Sequence, residues 1–563
     1  MDYDEAVPPD SFLAGIAFAL ARNRYACAES MIGAGFGGTV IGSLARSTLA
    51  DGLRWLWIAR DPEQRRRRVL GDLLEERSRI ARLLETDAST FTRWLMPIPP
   101  VADLTGASRE WLDVDPMPND DALLDELRSD QREQVSSTVD PVLAALIGRA
   151  DEMLNFPGLR GAAMVLAHAG HGNYLGQRST LTDDGVPGFD LRADHEAIFM
   201  HAAAVGVFGV LVGSSAALPE TWPVEVDRVE FLTSAADLVA DVAHAAEPMH
   251  RLGVKSKPGG APPKSRGAQS HRPLEELVVV EDSDVQGELL DIEERLLLLT
   301  ATFDSYVDRV RNSPQITTLP PDGTALHLVL TYGAALSNVQ TVASMYEQPG
   351  AGVASALAAR ALLEEAARLR WRYDVQGEDE LRARAKQYFD EYRFRQRRTM
   401  RTLSGHGIKT ADAQRLFSLP PHVFTPPGVD EIAKGRVPVP TLASMLRSFG
   451  TGAEHPEWLE SAYALLSQVT HATPLGYLHC LRYRDGWIAA PLSTEMLALT
   501  LDVSAIGSAY LISTVGLVLN DLSPSAKANV VPLRTAAFDV HFAARRIHGL
   551  DLPSMGWADG PSS

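Results

Sequence analysis

Cysteine and lysine are the scarcest chemistry in this chain of 563 residues, with two cysteines, Cys27 and Cys480, and seven lysines against 46 arginines. Two cysteines so far apart in sequence exclude a disulfide framework, and they point to a reducing compartment. Aromatic residues make up only 7% of the chain; with alanine abundant, that leans toward packed helices. Positive charge in excess is also missing. A net charge of −19 excludes bulk affinity for nucleic acid, whose phosphates need a basic footprint. There is no Walker loop, no glycine-rich turn after a strand and no zinc-like Cys/His spacing, so neither a cofactor nor a metal is expected. The start, Met1-Asp2-Tyr3-Asp4-Glu5, lacks the basic opening of a signal peptide, and the cytoplasm is the expected location.

Long apolar runs are two, Ala197 to Leu218 and Met496 to Leu519. Length alone would let the first span a bilayer. Glu196 and Glu220 flank it without a Lys/Arg cluster, and Asp502 interrupts the second, which suits lipid poorly. Both are read as buried central helices through which two halves of the molecule pack, and no membrane span is expected.

What the chain does contain, it contains twice. Ala45 to Trp57 matches Ala359 to Trp371 without a gap, so that Arg46, Arg54 and Trp57 align with Arg360, Arg368 and Trp371. Downstream, His168 and Tyr174 recur as His471 and Tyr477 at identical spacing. The apolar runs align from Glu196 and Glu495, and a looser match joins Val229 to Leu238 with Val530 to Val540. Matched blocks in one order imply an internal duplication. Between the copies lies residues 252–273, rich in Gly, Pro, Ser and Lys and without an apolar period, which reads as a flexible linker. The expected organisation is therefore a first helical domain over 1–251, the linker, and a second helical domain over 274–563.

Apolar spacing of three and four predicts helices over Ser11–Ile32, Thr39–Ile58, Glu63–Leu84, Val139–Leu154 and Gly161–Leu175. The second half adds Asp284–Val310, Ala325–Tyr346, Ala351–Tyr373, Glu378–Thr402, Trp458–Thr470, Ser493–Leu519 and Ser525–Ile547. Strand signals are short and sparse. The fold class is all-α, two diverged copies of a helical bundle.

On a helix, positions 0, +8 and +11 fall within roughly 80° of one another. Arg46, Arg54 and Trp57 thus share a stripe, as do Arg360, Arg368 and Trp371. In the second copy Glu364 stands between its arginines, an Arg-Glu-Arg ladder; Ala50 takes that place in the first. The ladder is either a helix-surface ion pair worth about 0.3–0.5 kcal/mol or an inward polar site able to hold a small anion. Ser467 stands one turn before His471, yet no acid at local spacing completes a triad, and Met164 replaces the serine in the first copy. Binding candidates are Arg360, Glu364, Arg368, Ser467, His471 and Tyr477, with first-copy equivalents Arg46, Arg54, His168 and Tyr174.

Arg360-Ala-Leu-Leu-Glu364, then Trp371 and a charged helix, then Ser467-Gln-Val-Thr-His471, resembles a bacterial family of uncharacterised all-helical proteins with an Arg-x-x-x-Glu helix followed by a Ser-x-x-x-His helix. The first copy is a degenerate match. The resemblance covers about half of the chain and implies a helical fold but no reaction. Helical ribonucleases of toxin and phage-defence systems place four to six residues between an arginine and a following histidine. The chain offers Arg266/His271, Arg401/His406, Arg415/His422 and Arg534/His541, as many as its composition supplies by chance. Arg401 and His406, after the basic run Arg393 to Arg401, are the best catalytic candidates; RNA could lie along such basic helices but is not favoured. The expectation is a non-enzymatic interaction or sensing protein, linked to bacterial stress or phage defence by family association alone, with a protein partner or a second copy of itself. A metal-independent ribonuclease and a small-anion-binding protein are the alternatives.

Overall fold

The computed structural model describes residues 9–34, 38–62, 120–128, 141–156, 158–169, 191–217, 227–252, 286–314, 323–346, 351–375, 377–405, 408–417, 438–449, 456–471, 482–484, 487–489, 492–518 and 528–547, with isolated positions between them. The sequence-derived linker, Tyr174, Tyr477 and His406 lie outside these residues, apart from Leu252 at the linker's edge. The described fold is all-α. The first half holds α1 (Pro9–Ala34), α2 (Gly38–Arg60), α3 (Asp120–Arg128), α4 (Pro141–Leu154), α5 (Leu159–Ala169), α6 (Ala193–Ala217) and α7 (Arg228–His250). The second holds α8 (Gln286–Arg311), α9 (Gly323–Met345), α10 (Gly352–Tyr373), α11 (Glu378–Gly405), α12 (Thr410–Phe417), α13 (Leu442–Phe449) and α14 (Pro456–Thr470). It ends with α15 (Thr494–Val518) and α16 (Val530–Ile547). A three-residue hairpin, β1 (Arg482–Arg484) and β2 (Trp487–Ala489), pairs antiparallel between α14 and α15.

Apolar content on every side makes a helix central rather than peripheral. Both α6 and α15 are long and apolar enough to cross a membrane by length and composition, and both are mostly covered by protein. Around α6 pack α1, α2, α4, α5 and α7; around α15 pack α8, α9, α10 and α16. Asp502, the residue that suits lipid poorly, is fully buried on α15 and held by His541 of α16, whose Nδ1 lies 3.0 Å from both carboxylate oxygens.

Packing between the halves corrects one expectation. They meet chiefly through α2 and α10, not through the two apolar helices. Each apolar helix is consumed by its own half, and the neighbouring helix, carrying both polar and apolar faces, is left to bridge. Polar ties cross the junction: Arg54 donates to the His471 carbonyl at 2.6 Å, and His168 Nε2 meets Thr399 Oγ1 at 2.8 Å. Arg415 of α12 donates to the His250 carbonyl at 3.0 Å and lies 3.3 Å from Asp194.

The crossing of α2 over α6 is closed by glycine. A methyl group on Gly206 would sit 2.3 Å from the Thr48 carbonyl oxygen, and one on Gly52 would sit 2.4 Å from that of Gly206. Backbones this close leave no room for any side chain. The crossing of α10 and α15 is looser, where a methyl group on Gly507 would sit 3.1 Å from the Leu362 carbonyl carbon. Gly206→Val is therefore expected to lower stability by at least about 2–3 kcal/mol, through overpacking against backbone that cannot yield. Gly507→Ala should cost less than half as much; equal losses in urea unfolding would refute this account of the crossing.

Candidate functional site

Helix α10 carries the ladder. Within one helix, i and i+4 side chains meet, so Arg360, Glu364 and Arg368 are neighbours by geometry. Arg360 Nη2 lies 2.9 Å from Glu364 Oε1, and Arg368 Nη2 lies 2.9 Å from Glu364 Oε2. From α14, the Tyr463 hydroxyl accepts from Arg360 at 2.8 Å and donates to Glu364 Oε1 at 3.1 Å. The Arg360 guanidinium sits over the Tyr463 ring, 5.1 Å from its centroid. Arg360 is 2% exposed and Glu364 1%, so this is a buried network and not the surface pair that spacing also allowed.

The network extends away from α14. Arg368 also pairs with Glu365, a second buried acid. Burial pushes the Glu365 carboxyl up to about 7, against the charge and hydrogen bond of Arg368. Beyond it, Arg372 is buried with Nη1 3.3 Å from His327 Nδ1 of α9, while His327 Nε2 meets the Tyr388 hydroxyl of α11 at 3.0 Å. The Arg372 guanidinium lies 5.0–5.5 Å from the ring centroids of Phe389, Tyr373 and Tyr388. Such an aromatic cage offsets part of the cost of burying a cation. Burial, with Arg372 and Arg368 nearby, holds His327 well below the usual histidine range.

The sequence-derived candidates are only partly brought together. Arg360, Glu364 and Arg368 are joined, whereas the Ser467 hydroxyl is buried on α14 without a hydrogen-bond partner among the described residues. His471 ends α14 and engages Arg54 through its backbone carbonyl. Arg46 and Arg54 are half-buried on α2. His168 is engaged with α11, as above. Arg401 is exposed near the C-terminal end of α11. Arg534 is exposed, and its spaced partner His541 is committed to Asp502.

Residue matching passed over one acid. Ala50 does replace Glu364 in the first half, but Asp51, aligned with Glu365, is buried at 0% exposure and paired with Arg24 of α1. The gapless alignment itself held that signal, an acid at the same position in both blocks. Arg60 likewise pairs with Asp151 of α4. A contact shared by both halves was also missed. Arg65 donates to the Trp57 carbonyl at 2.9 Å and lies 4.3 Å from its ring centroid; Arg384 donates to the Trp371 carbonyl and lies 5.8 Å from its ring.

A second buried cluster joins α6 and α7. His201 and His250 stack with ring planes 10° apart, and His201 Nδ1 lies 3.3 Å from His250 Nε2. The Leu252 amide donates to His250 Nδ1 at 3.0 Å, which leaves the His250 proton on Nε2, facing His201. Burial, then the charge of the neighbouring ring, lowers His201 to about 3; burial, then Arg415, lowers His250 to about 4. At the start of α6, burial would raise the Asp194 carboxyl, but hydrogen bonds from His195 and Arg192 and their charges hold it well below the usual carboxylate range.

Among the described residues, two cavities lie elsewhere. One of about 750 Å³ is lined by Arg370, Tyr373, Asp374, Glu378, Tyr510 and Leu517, where α10 and α15 end. Another of about 370 Å³ separates α4 from α7, lined by Arg149, Met153, Phe156, Asp237 and His244. Neither opens on Arg360, Glu364 or Arg368. No group of three or more His, Cys, Asp or Glu able to hold a metal occurs among the described residues. Burial raises the thiols of Cys27 and Cys480 to about 11 and about 12, which suppresses the thiolate form. Comparison with protein-family models, curated proteins and solved structures finds no match to this chain.

Two measurements check these readings. Glu364→Gln strips the carboxylate from two arginines inside the protein and is expected to cost about 3–5 kcal/mol of unfolding free energy; a loss under about 1 kcal/mol, as for a surface pair, would contradict the buried network. The histidine pair sets a pH dependence. Unfolded histidine titrates near 6.5, so from pH 6.5 down to about 4 the unfolded chain binds protons that folded His201 and His250 refuse. Their stabilising contribution is present above pH 6.5 and is lost as pH falls through that window. His250→Phe should shrink the stability difference between pH 7.5 and pH 5, and an unchanged difference would exclude the pair as its source.

Proposed function

We propose that the chain is a non-enzymatic helical interaction protein of the cytoplasm, built from two diverged copies of one helical domain. The observation that carries the reading is where polar chemistry is spent. Arg360, Glu364, Arg368 and Tyr463 close on one another inside the fold, and the buried histidines and thiols are driven toward neutral forms. Groups so enclosed suit a scaffold that must hold its shape. The surface, by contrast, presents features suited to contact: Phe394, Arg397, Arg398 and Arg401 exposed along α11, and several large apolar residues exposed on α7.

Several shared features support the duplication. In each half a polar-faced helix crosses an apolar central helix, α2 on α6 and α10 on α15. A following helix packs on the central one in both, α7 and α16. The arginine-on-tryptophan contact occurs at aligned tryptophans. A role in bacterial stress or phage defence rests on the family resemblance alone.

Arg401 and His406 define the test. Incubated with a labelled RNA, the purified chain is expected to leave it intact. RNA cleavage that His406→Ala or Arg401→Ala abolishes would replace this reading with a metal-independent ribonuclease.

A further inference from the structure

Helix α7 has two apolar faces where a surface helix normally has one. Leu232, Ala236, Val239, Ala243 and Ala246 are buried against the rest of the first half. A second stripe, Phe231, Ala235, Leu238, Val242, Ala245 and Met249, advances by alternating steps of four and three. That is the period of a helix–helix seam. It is uncovered: Phe231 is 42% exposed, Leu238 66% and Met249 46%, and Ala235 and Val242 are only half-buried. The helix is firmly built all the same. Asp227 caps its first turn, accepting from the Val229 and Glu230 amides at 2.9 and 3.1 Å, and Arg251 closes it in the left-handed region at φ 56°.

Its neighbours show which side is open. The cavity-lining flank of α7 faces α4, where Arg149 reaches Asp237 at 3.2 Å. In the second half the equivalent helix, α16, has α8 laid along it. Arg295 donates to the Arg546 carbonyl at 2.8 Å near one end, and Asn529 donates to Ser313 at 2.9 Å at the other. Between them α8 presents Leu299, Phe303, Tyr306 and Val310, and Ala536 and Ala543 are buried at 7% and 6% exposure. In the matched block, Ala536 and Ala543 stand where α7 has Ala235 and Val242. The second half thus shows a helix covering the positions matched to Ala235 and Val242, while those matched to Phe231, Leu238 and Ala245 (Pro532, Asp539 and Arg546) stay exposed.

We propose that this face of α7 docks an amphipathic helix of a partner protein, one with an apolar seam of three-four spacing and basic residues on its flanks. The choice of partner follows from charge. Glu230 and Asp241 are exposed beside the seam, and the whole chain carries a net charge of −19. A second α7 would set acids against acids, whereas lysine or arginine flanks complement them. The proposal rests on the interaction reading above and names its partner.

The probe is a fluorescein-labelled synthetic peptide of about three heptads, with leucine at seam positions and lysine at the flanks, titrated into the full chain. A peptide of the same composition in scrambled order is the control. Saturable binding is expected for the patterned peptide, weakened at least about tenfold by Leu238→Lys or Phe231→Ser, a change of about 1.4 kcal/mol. Asp241→Lys should also weaken it and reduce its sensitivity to salt. Circular dichroism and the melting temperature should hold in these variants, since each altered side chain is exposed. No binding, equal binding of the scrambled peptide, or indifference to Leu238→Lys and Phe231→Ser would each overturn the site. A dimer seen by light scattering that Leu238→Lys dissociates would assign the face to a second copy and overturn the basic partner. Failure with RNA left intact removes the docking site alone; RNA cleavage lost in His406→Ala removes the interaction reading.

Discussion

Charge buried on α2 and α10 is the constraint to which the rest of the structure answers. These two helices form the junction of the halves, and nearly every residue along them is enclosed, including Asp51, Arg60, Arg360, Glu364, Glu365 and Arg372. An ionised side chain cannot be left alone in such surroundings without a cost of several kcal/mol. Glu365 is met by Arg368 of its own helix; the others are met by groups on other helices, and those partners fix how the helices lie. Arg24 brings α1 to Asp51, Asp151 brings α4 to Arg60, and Tyr463 brings α14 to Arg360 and Glu364. On the far side of α10, His327 and Tyr388 bring α9 and α11 to Arg372 and to each other. Buried ion pairs add little net stability over well-packed apolar residues, and removal of one member is far costlier than replacement of both. Their effect here is to select one arrangement among many that alanine-rich helices would permit.

The apolar core solves a different problem, and each half solves it differently. In the first half Gly52 and Gly206 let α2 and α6 touch backbone to backbone. In the second, polar groups tie α15 to α8 and α16. The Tyr306 hydroxyl lies 2.6 Å from Ser508 Oγ and donates to the Ala505 carbonyl at 3.1 Å, and His541 reaches Asp502. Close backbone approach rewards small residues and punishes any addition. A polar crossing tolerates larger side chains but requires every hydroxyl and carboxylate to find a partner. The two halves thus hold their central helices by different means.

Helix positions were legible in the sequence because the signal is local. The three-four period marks Thr39 to Ile58 and Ala351 to Tyr373 to within a few residues of α2 and α10, and absence of a strand period gives the fold class. Contacts between helices were less legible. Spacing put Arg360, Glu364 and Arg368 on one stripe, yet nothing local distinguishes a stripe facing solvent from one facing α14. Asp51 looked unremarkable because its partner, Arg24, is on a different helix. The two longest apolar runs suggested the junction between halves; burial within a half satisfied them first, leaving helices with mixed faces to meet. His168 and His471 recur at one spacing but engage different atoms, a ring nitrogen on Thr399 in one case and a backbone carbonyl on Arg54 in the other.

The asymmetry between the halves bears on what the molecule can do. Among the described residues, the second half has Glu364 and Tyr463 at its ladder and α8 along its last helix; the first half has no such acid–tyrosine pair, and its last helix shows an apolar seam to solvent. A helix that buries one stripe already has its fold secured by the core; a second stripe at the same period adds nothing to that fold and carries a solvation cost while uncovered. The cost is recovered only when another surface covers the seam. The two halves differ in how their last helices are covered: α8 lies along α16, while the stripe of Phe231, Leu238 and Met249 on α7 meets solvent.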